Sequence, residues 1–140
     1  MEIHQITKQL SVCPQLTVDE IKTIHQLGYQ TIICNRPDGE QPEQPKAEDL
    51  KQAAEELGMT FIFQPIVNGQ IEFSDGTEFL SYLESSNTPI LAYCRTGTRS
   101  TILWALSQHN RLSAEQIRQQ TLAAGYKIDE SYITGPNQAN

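Results

Sequence analysis

Three short runs, TIIC (residues 31–34), MTFIF (59–63) and PILAYC (89–94), are apolar without interruption by charge. A strand with one wet face alternates polar and apolar residues, whereas a continuous, largely β-branched run belongs in a sheet covered on both faces. Between these runs the apolar residues recur at helical spacing. Val18, Ile21, Ile24 and Leu27 precede the first run, Ala47, Leu50, Ala54 and Leu57 the second, and Phe79, Leu80 and Leu83 the third. Strands alternating with helices predict an α/β chain with a mostly parallel central sheet flanked by helices.

The punctuation agrees with that pattern. Thr17 and Glu20 have the spacing of a capping box, and so do Ser113 and Gln116. Gly28, Gly58 and Gly125 stand where helices should stop. Pro37, Pro42 and Pro45 make residues 35–46 a loop, and Ser74 or Asp75 is expected to cap the helix that follows. Ile3, Ile6, Leu10 and Val12 suggest one or two short strands closed by Pro14. Helices are expected at roughly 100–110 and 114–124, with Trp104 as helix packing. Residues 1–126 then form one domain and 127–140 a C-terminal tail, frayed at ITGPNQAN.

Ten basic against 17 acidic residues give a formal charge of −7 in 140 residues. Nucleic acid and anionic membrane both need a basic footprint, so neither is an expected partner. MEIHQITKQL lacks a secretory leader's pattern and no apolar run approaches ~18 residues, which predicts a cytoplasmic protein. Cys13, Cys34 and Cys94 are too few and too scattered for a disulfide framework, and His4, His25 and His109 have no ligand spacing. No metal or cofactor is expected.

The chemistry concentrates in YCRTGTRS, residues 93–100, where the third apolar run meets a helix. Ligands of parallel sheets bind beyond the carboxyl ends of the strands, and Cys94 lies at such an end. Backbone amides of Arg95, Thr96, Gly97 and Thr98, the positive end of the helix, and the cations Arg95 and Arg99 should converge on the sulfur and favour a nucleophilic thiolate. A free cysteine is often only a buried small residue, but two arginines and a glycine beside it have no use in an apolar core. Ser100 is expected to donate to the sulfur, cap the helix, or both. Arg36 either points into the same crevice or pairs internally with Asp38 or Glu40.

A strand ending in Cys, a Gly-bearing loop and Arg-Ser opening a helix resembles the tyrosine and dual-specificity phosphatases. Over residues 3–126 the chain more closely resembles the phosphatase-like domain of the bacterial beta-lactamase-hydrolase-like proteins, through QLSVCPQLT, GYQTIICNRPDGEQ, the strand into QPI, and PILAYCRTGTRS. The resemblance implies a dual-specificity-phosphatase-like fold. In longer members the domain is fused to a metallo-beta-lactamase-like, persulfide-oxidising domain, which here would be a separate partner protein.

Three departures from the phosphatase signature matter. Four residues, not five, separate Cys94 from Arg99, and the shorter CRTGTR loop resembles the rhodanese loop C-R-x-G-x-[RT], which cradles a persulfide. Asn68 in QPIVNGQ stands where a general-acid Asp is expected, leaving Asp38 and Asp75 as substitutes, although Asp75 reads more readily as a helix cap and Asp38 as a turn residue. Tyr93 replaces the His that usually precedes the nucleophile. These departures favour a cysteine-dependent sulfurtransferase. It would take sulfur from thiosulfate or a persulfide onto Cys94 and pass it to an acceptor thiol, with Cys13 or Cys34 as candidate resolving residues. The alternatives are a phosphatase acting on phosphate esters through a phosphocysteine, with Arg99 holding the phosphoryl group, and a non-catalytic anion-binding module.

Overall fold

In the computed structural model, which describes residues 1–134, five strands form one sheet in the order β1-β2-β5-β3-β4. They are β1 (His4–Gln5), β2 (Leu10–Cys13), β3 (Thr31–Cys34), β4 (Thr60–Phe63) and β5 (Ile90–Tyr93). The hairpin partner β1 is antiparallel to β2, and every other pairing is parallel. The expected α/β architecture, mostly parallel with helices on its faces, is the one observed.

The helices divide between the two faces of the sheet. Beneath α1 (Glu20–Gln26) and α2 (Ala47–Glu56), Ile21, Ile24, Leu50 and Ala54 pack against Ile32, Leu91 and Tyr93. On the other face lie α3 (Phe73–Glu84), α4 (Thr98–Ser107), α5 (Ala114–Ala123) and α6 (Glu130–Thr134), whose Phe79, Leu103, Trp104 and Ile117 cover Val12, Ile33 and Ala92. Residues 99–107 of α4 are all buried, so this helix runs through the interior and is not amphipathic. Its N-terminus, fed directly by β5, is therefore held from Arg99 onward by the packing of the helix behind it.

Both expected capping boxes are present. Thr17 and Glu20 exchange backbone-to-side-chain hydrogen bonds of 2.9 and 3.3 Å, and Ser113 and Gln116 do so at 2.9 and 3.1 Å. At α3 the cap is Glu72, with Asp75 one turn inside the helix, where its carboxylate accepts from the Glu72 N–H at 2.8 Å.

Two expectations need correction. MTFIF reads as a strand covered on both faces, but β4 is the sheet's edge, with Thr60 exposed and Phe63 46% exposed. Continuity of apolar residues reports covered faces and carries no information about how many strands lie alongside. The segment from 127 is also not wholly a tail. Ile128 and Ile133 are buried against the α4 and α5 side of the core, and α6 follows from that anchoring. Residues 135–140, most of ITGPNQAN, lie outside the described residues.

Candidate active site

β5 is the middle strand of five, and Cys94 is the residue that leaves it. The main chain then turns through Arg95, Thr96 and Gly97 and enters α4 at Thr98, two residues earlier than the sequence suggests. The turn depends on Gly97, whose φ of 97° is in the left-handed region that residues with a Cβ avoid. That conformation aims the Gly97 N–H at Cys94 Sγ, 3.1 Å away, while its carbonyl accepts from the Thr101 N–H (3.0 Å) and hydroxyl (2.8 Å). Among the described residues Gly97 is the one amide that hydrogen-bonds the sulfur, where several were expected. Cys94 itself is 1% exposed.

A buried guanidinium stands beside the loop. Arg99 donates from Nη1 to Glu40 Oε2 (2.8 Å) and to the carbonyl of Ile66 (2.9 Å), and from Nη2 to Glu40 Oε1 (2.9 Å). Glu40 also accepts from Arg36 Nε at 2.8 Å, so one carboxylate is shared by two arginines that are each almost fully buried. The hydrogen bond from Arg99 is the main reason the Glu40 carboxyl is lowered to about 2; partial burial opposes that shift and Arg36 adds to it. Arg99 is correspondingly held charged by Glu40, with Cys94 contributing less. With Nη1 and Nη2 tied in this way, the guanidinium plane has a fixed orientation beside the thiol.

Other predicted residues have different duties. Ser100 neither reaches the sulfur nor caps the helix. Its hydroxyl donates to Asn35 Oδ1 at 2.8 Å, while Asn35 Nδ2 donates to the Gln64 carbonyl and thereby ties α4 to the ends of β3 and β4. Thr96 and Thr98 share a hydroxyl contact of 2.9 Å on the outer rim of the loop. Asp38 accepts from the Ala47 N–H at 2.8 Å and so caps α2, and Asp75 is taken up by its capping box at α3. Neither candidate acid is a free carboxyl. Asn68 lies in an exposed turn two residues after Ile66, whose carbonyl touches Arg99, so the expected acid loop does border the site but carries an amide there.

Cys13 and Cys34 sit in register on either side of Tyr93. All three belong to the apolar cluster under α1 and α2. Burial pushes the Cys13 thiol well above its ordinary value and the Cys34 thiol up to about 11, and Cys34 Sγ donates to the Arg36 carbonyl at 3.3 Å. Both are protonated packing residues at neutral pH.

A cavity of about 600 Å³ opens beside the loop, with Gln15, Arg36, Arg95 and Thr96 in its lining. No three His, Cys, Asp or Glu among the described residues are grouped to hold a metal ion, and no helix among them is long and apolar enough to cross a membrane.

A thiol at the end of a central parallel strand, an amide turned onto it by a left-handed glycine, and a clamped arginine at the first turn of a buried helix make up the centre. Residues 2–111, which contain all of it, match the family model of the beta-lactamase hydrolase-like protein, phosphatase-like domain. The chain belongs to this family.

The phosphatase-like domain is 30% identical, over 99% of its length, to a beta-lactamase hydrolase-like protein of Xylella fastidiosa, and 31% identical over 77% to one of Agrobacterium fabrum. It spans a third or less of the length of those relatives. Among solved structures, a candidate phosphatase of Neisseria meningitidis superposes with a TM-score of 0.85 at 36% identity, covering 99% of both chains. The kinase associated phosphatase superposes at 0.73 with 16% identity, over 94% of this chain and 89% of that one, which shows a shared fold. The domain therefore has a dual-specificity-phosphatase-like fold, as the resemblance implies. These neighbours favour the phosphatase alternative over the sulfurtransferase reading.

Two residues of the site are not apparent from the sequence. Glu40 is readable as a partner of Arg36, but its bidentate hold on Arg99 joins positions 59 apart. Tyr126, one residue past the α5 stop, donates its hydroxyl to the Thr96 carbonyl at 3.0 Å and packs edge-on against His4. A Cβ on Gly97 would run into that hydroxyl, so Tyr126 covers the loop from outside.

Proposed function

We propose that the domain is a cysteine-dependent phosphatase acting on small phosphate monoesters. Cys94 Sγ attacks phosphorus, the S–P bond forms as the P–O bond to the leaving group breaks, and water later attacks the phosphocysteine to release phosphate and restore the thiolate. Arg99, oriented by Glu40, offers its remaining N–H donors to the phosphoryl oxygens together with the loop amide at Gly97. The supporting observation is this pairing of a glycine-turned amide on Sγ with a clamped guanidinium, at the end of the central strand. With Asp38 and Asp75 committed to caps, substrates whose leaving oxygen departs as a stable anion react fastest, so aryl phosphates outpace alkyl phosphates.

A second reading, sulfur transfer, is favoured by the four-residue spacing between Cys94 and Arg99 and by the lack of a free acid. In it Cys94 attacks the outer sulfur of thiosulfate, sulfite leaves with the electron pair of the broken S–S bond, and the persulfide sulfur passes to a thiol or to cyanide. One paired assay separates the two. Release of phosphate from 4-nitrophenyl phosphate is measured beside thiocyanate formation from thiosulfate and cyanide, for the wild type and Cys94→Ser. Cys94-dependent phosphate release supports the first reading. Cys94-dependent thiocyanate with no phosphate release replaces it with the second, and neither product would leave an anion-binding module.

A further inference from the structure

The cavity beside the loop is lined by groups whose hydrogen-bonding capacity is unevenly spent. Gln15 donates to the Leu16 carbonyl (2.8 Å) and accepts from Arg36 (3.0 Å). Gln44 donates to the Pro37 carbonyl (2.8 Å) and accepts from the Glu40 N–H (3.1 Å), which holds the wall of residues 37–44 in place. Each of these amides keeps one N–H, but neither carries a charge. Arg36 does. It is 2% exposed, and three of its five N–H groups go to Glu40, Gln15 and Gln41, leaving two without an acceptor among the described residues. In the same lining the exposed Arg95 side chain has no ion pair or hydrogen bond among the described residues. Against these donors stands one charged acceptor on the lining, the exposed carboxylate of Glu43. No aromatic ring lines the space, so it has no platform for a planar group.

Unspent guanidinium donors at a cavity wall, on a chain whose overall charge is −7, select an anion with two oxygens in one plane. We propose that this cavity is a subsite for a carboxylate on the substrate, held by Arg95 and the unspent N–H groups of Arg36. The substrate class is then a small polyanion that carries a carboxylate as well as the group transferred to Cys94. This assignment rests on the reading of the Cys94 loop as an anion-binding reaction centre, and it names the second half of the ligand.

The test reads occupancy of the site through protection of the thiol. Alkylation of Cys94 by iodoacetamide, followed by peptide mass, is timed in the presence of inorganic phosphate, thiosulfate, 3-phosphoglycerate or glycerol 3-phosphate. The last two differ by a carboxylate in place of a hydroxymethyl group. Protection by 3-phosphoglycerate is expected at a concentration lower by about tenfold than glycerol 3-phosphate requires. That ratio should collapse towards one in Arg95→Gln and widen in Glu43→Gln. Both substituted residues are exposed, so the fold is not at risk. Equal protection by the two organic phosphates, or a ratio unmoved by Arg95→Gln, overturns the subsite while leaving the reaction centre intact. Failure of both phosphate and thiosulfate to slow alkylation overturns the reaction centre and the subsite together.

Discussion

Helices α4 and α5 begin in opposite ways. At α5 the N-cap is Ser113, whose hydroxyl accepts from the Gln116 N–H while Gln116 reaches back to the Ser113 N–H, so two orphan donors are satisfied within four residues. At α4 the N-cap is Gly97 in a left-handed conformation with no side chain to offer, the Thr98 N–H has only a long bond to the Thr96 hydroxyl (3.4 Å), and the Gly97 N–H donates to Cys94 Sγ. The start of α5 is complete in itself, whereas the start of α4 leaves donors for a ligand and relies on distant residues for its shape. Glu40 holds the arginine of its first turn, and Tyr126 holds the carbonyl of Thr96. The contrast shows which helix start serves stability alone and which trades local closure for chemistry.

The sharpest way to break that contrast is at the sulfur. Cys94→Ser should lower turnover by at least about 10³-fold with little change in the unfolding midpoint, as measured by product release and urea denaturation. Gly97→Ala should come next. Gly97 and Gly125 share a φ of 97°, so alanine brings a similar strain of about 1–2 kcal/mol at each. Only at Gly97 does the new Cβ meet Tyr126, whereas at Gly125 its nearest neighbour is His4 at 3.9 Å. Denaturation of the two variants side by side should therefore show the larger loss at Gly97, with activity lost by about 10²-fold there and retained in Gly125→Ala.

Glu40→Gln should destabilise by about 2–3 kcal/mol, somewhat less than a fully buried pair, because two nearly buried guanidinium groups lose their shared charge. The pH dependence has a defined sign. A carboxyl lowered from 4.5 to about 2 contributes stability that is fully present above about 4.5 and is lost as pH falls through about 2. The difference between wild type and Glu40→Gln in urea melts should narrow across that window, and a difference independent of pH there would contradict the clamp. Tyr126→Phe keeps the ring against His4 and removes one hydrogen bond, so about 1 kcal/mol of stability and about tenfold in activity should go. The smallest effect belongs to the self-contained start: Ser113→Ala should cost about 1 kcal/mol in denaturation and leave turnover unchanged.

What the sequence made legible follows the same division between local and distant. Periodicity and capping residues reach across three or four positions, which is why both boxes, the parallel strands and the place of the Cys94 loop are legible in the sequence. β4 as an edge could not be read, because TFIF has the same composition with or without a further strand beside it. Ile128 and Ile133, five apart, match neither a helical nor a strand period and gave no sign of α6. Asp38 and Asp75 read more readily as a turn residue and a cap than as acids, but which amides they hold, those of Ala47 and Glu72, is visible only in the fold. The hold of Glu40 on Arg99 and the cover that Tyr126 places on Gly97 depend on which strand ends the topology brings together, and no spacing in the sequence encodes it.

Everything proposed for the site depends on attack by Cys94 Sγ. The most direct test is an acid-quenched reaction with 4-nitrophenyl phosphate, in which the peptide containing Cys94 is weighed within the first turnover. The expected result is a gain of one phosphoryl group on that peptide in the wild type and none in Cys94→Ser. Phosphate release that proceeds with no adduct on Cys94, or that survives in Cys94→Ser, would contradict it.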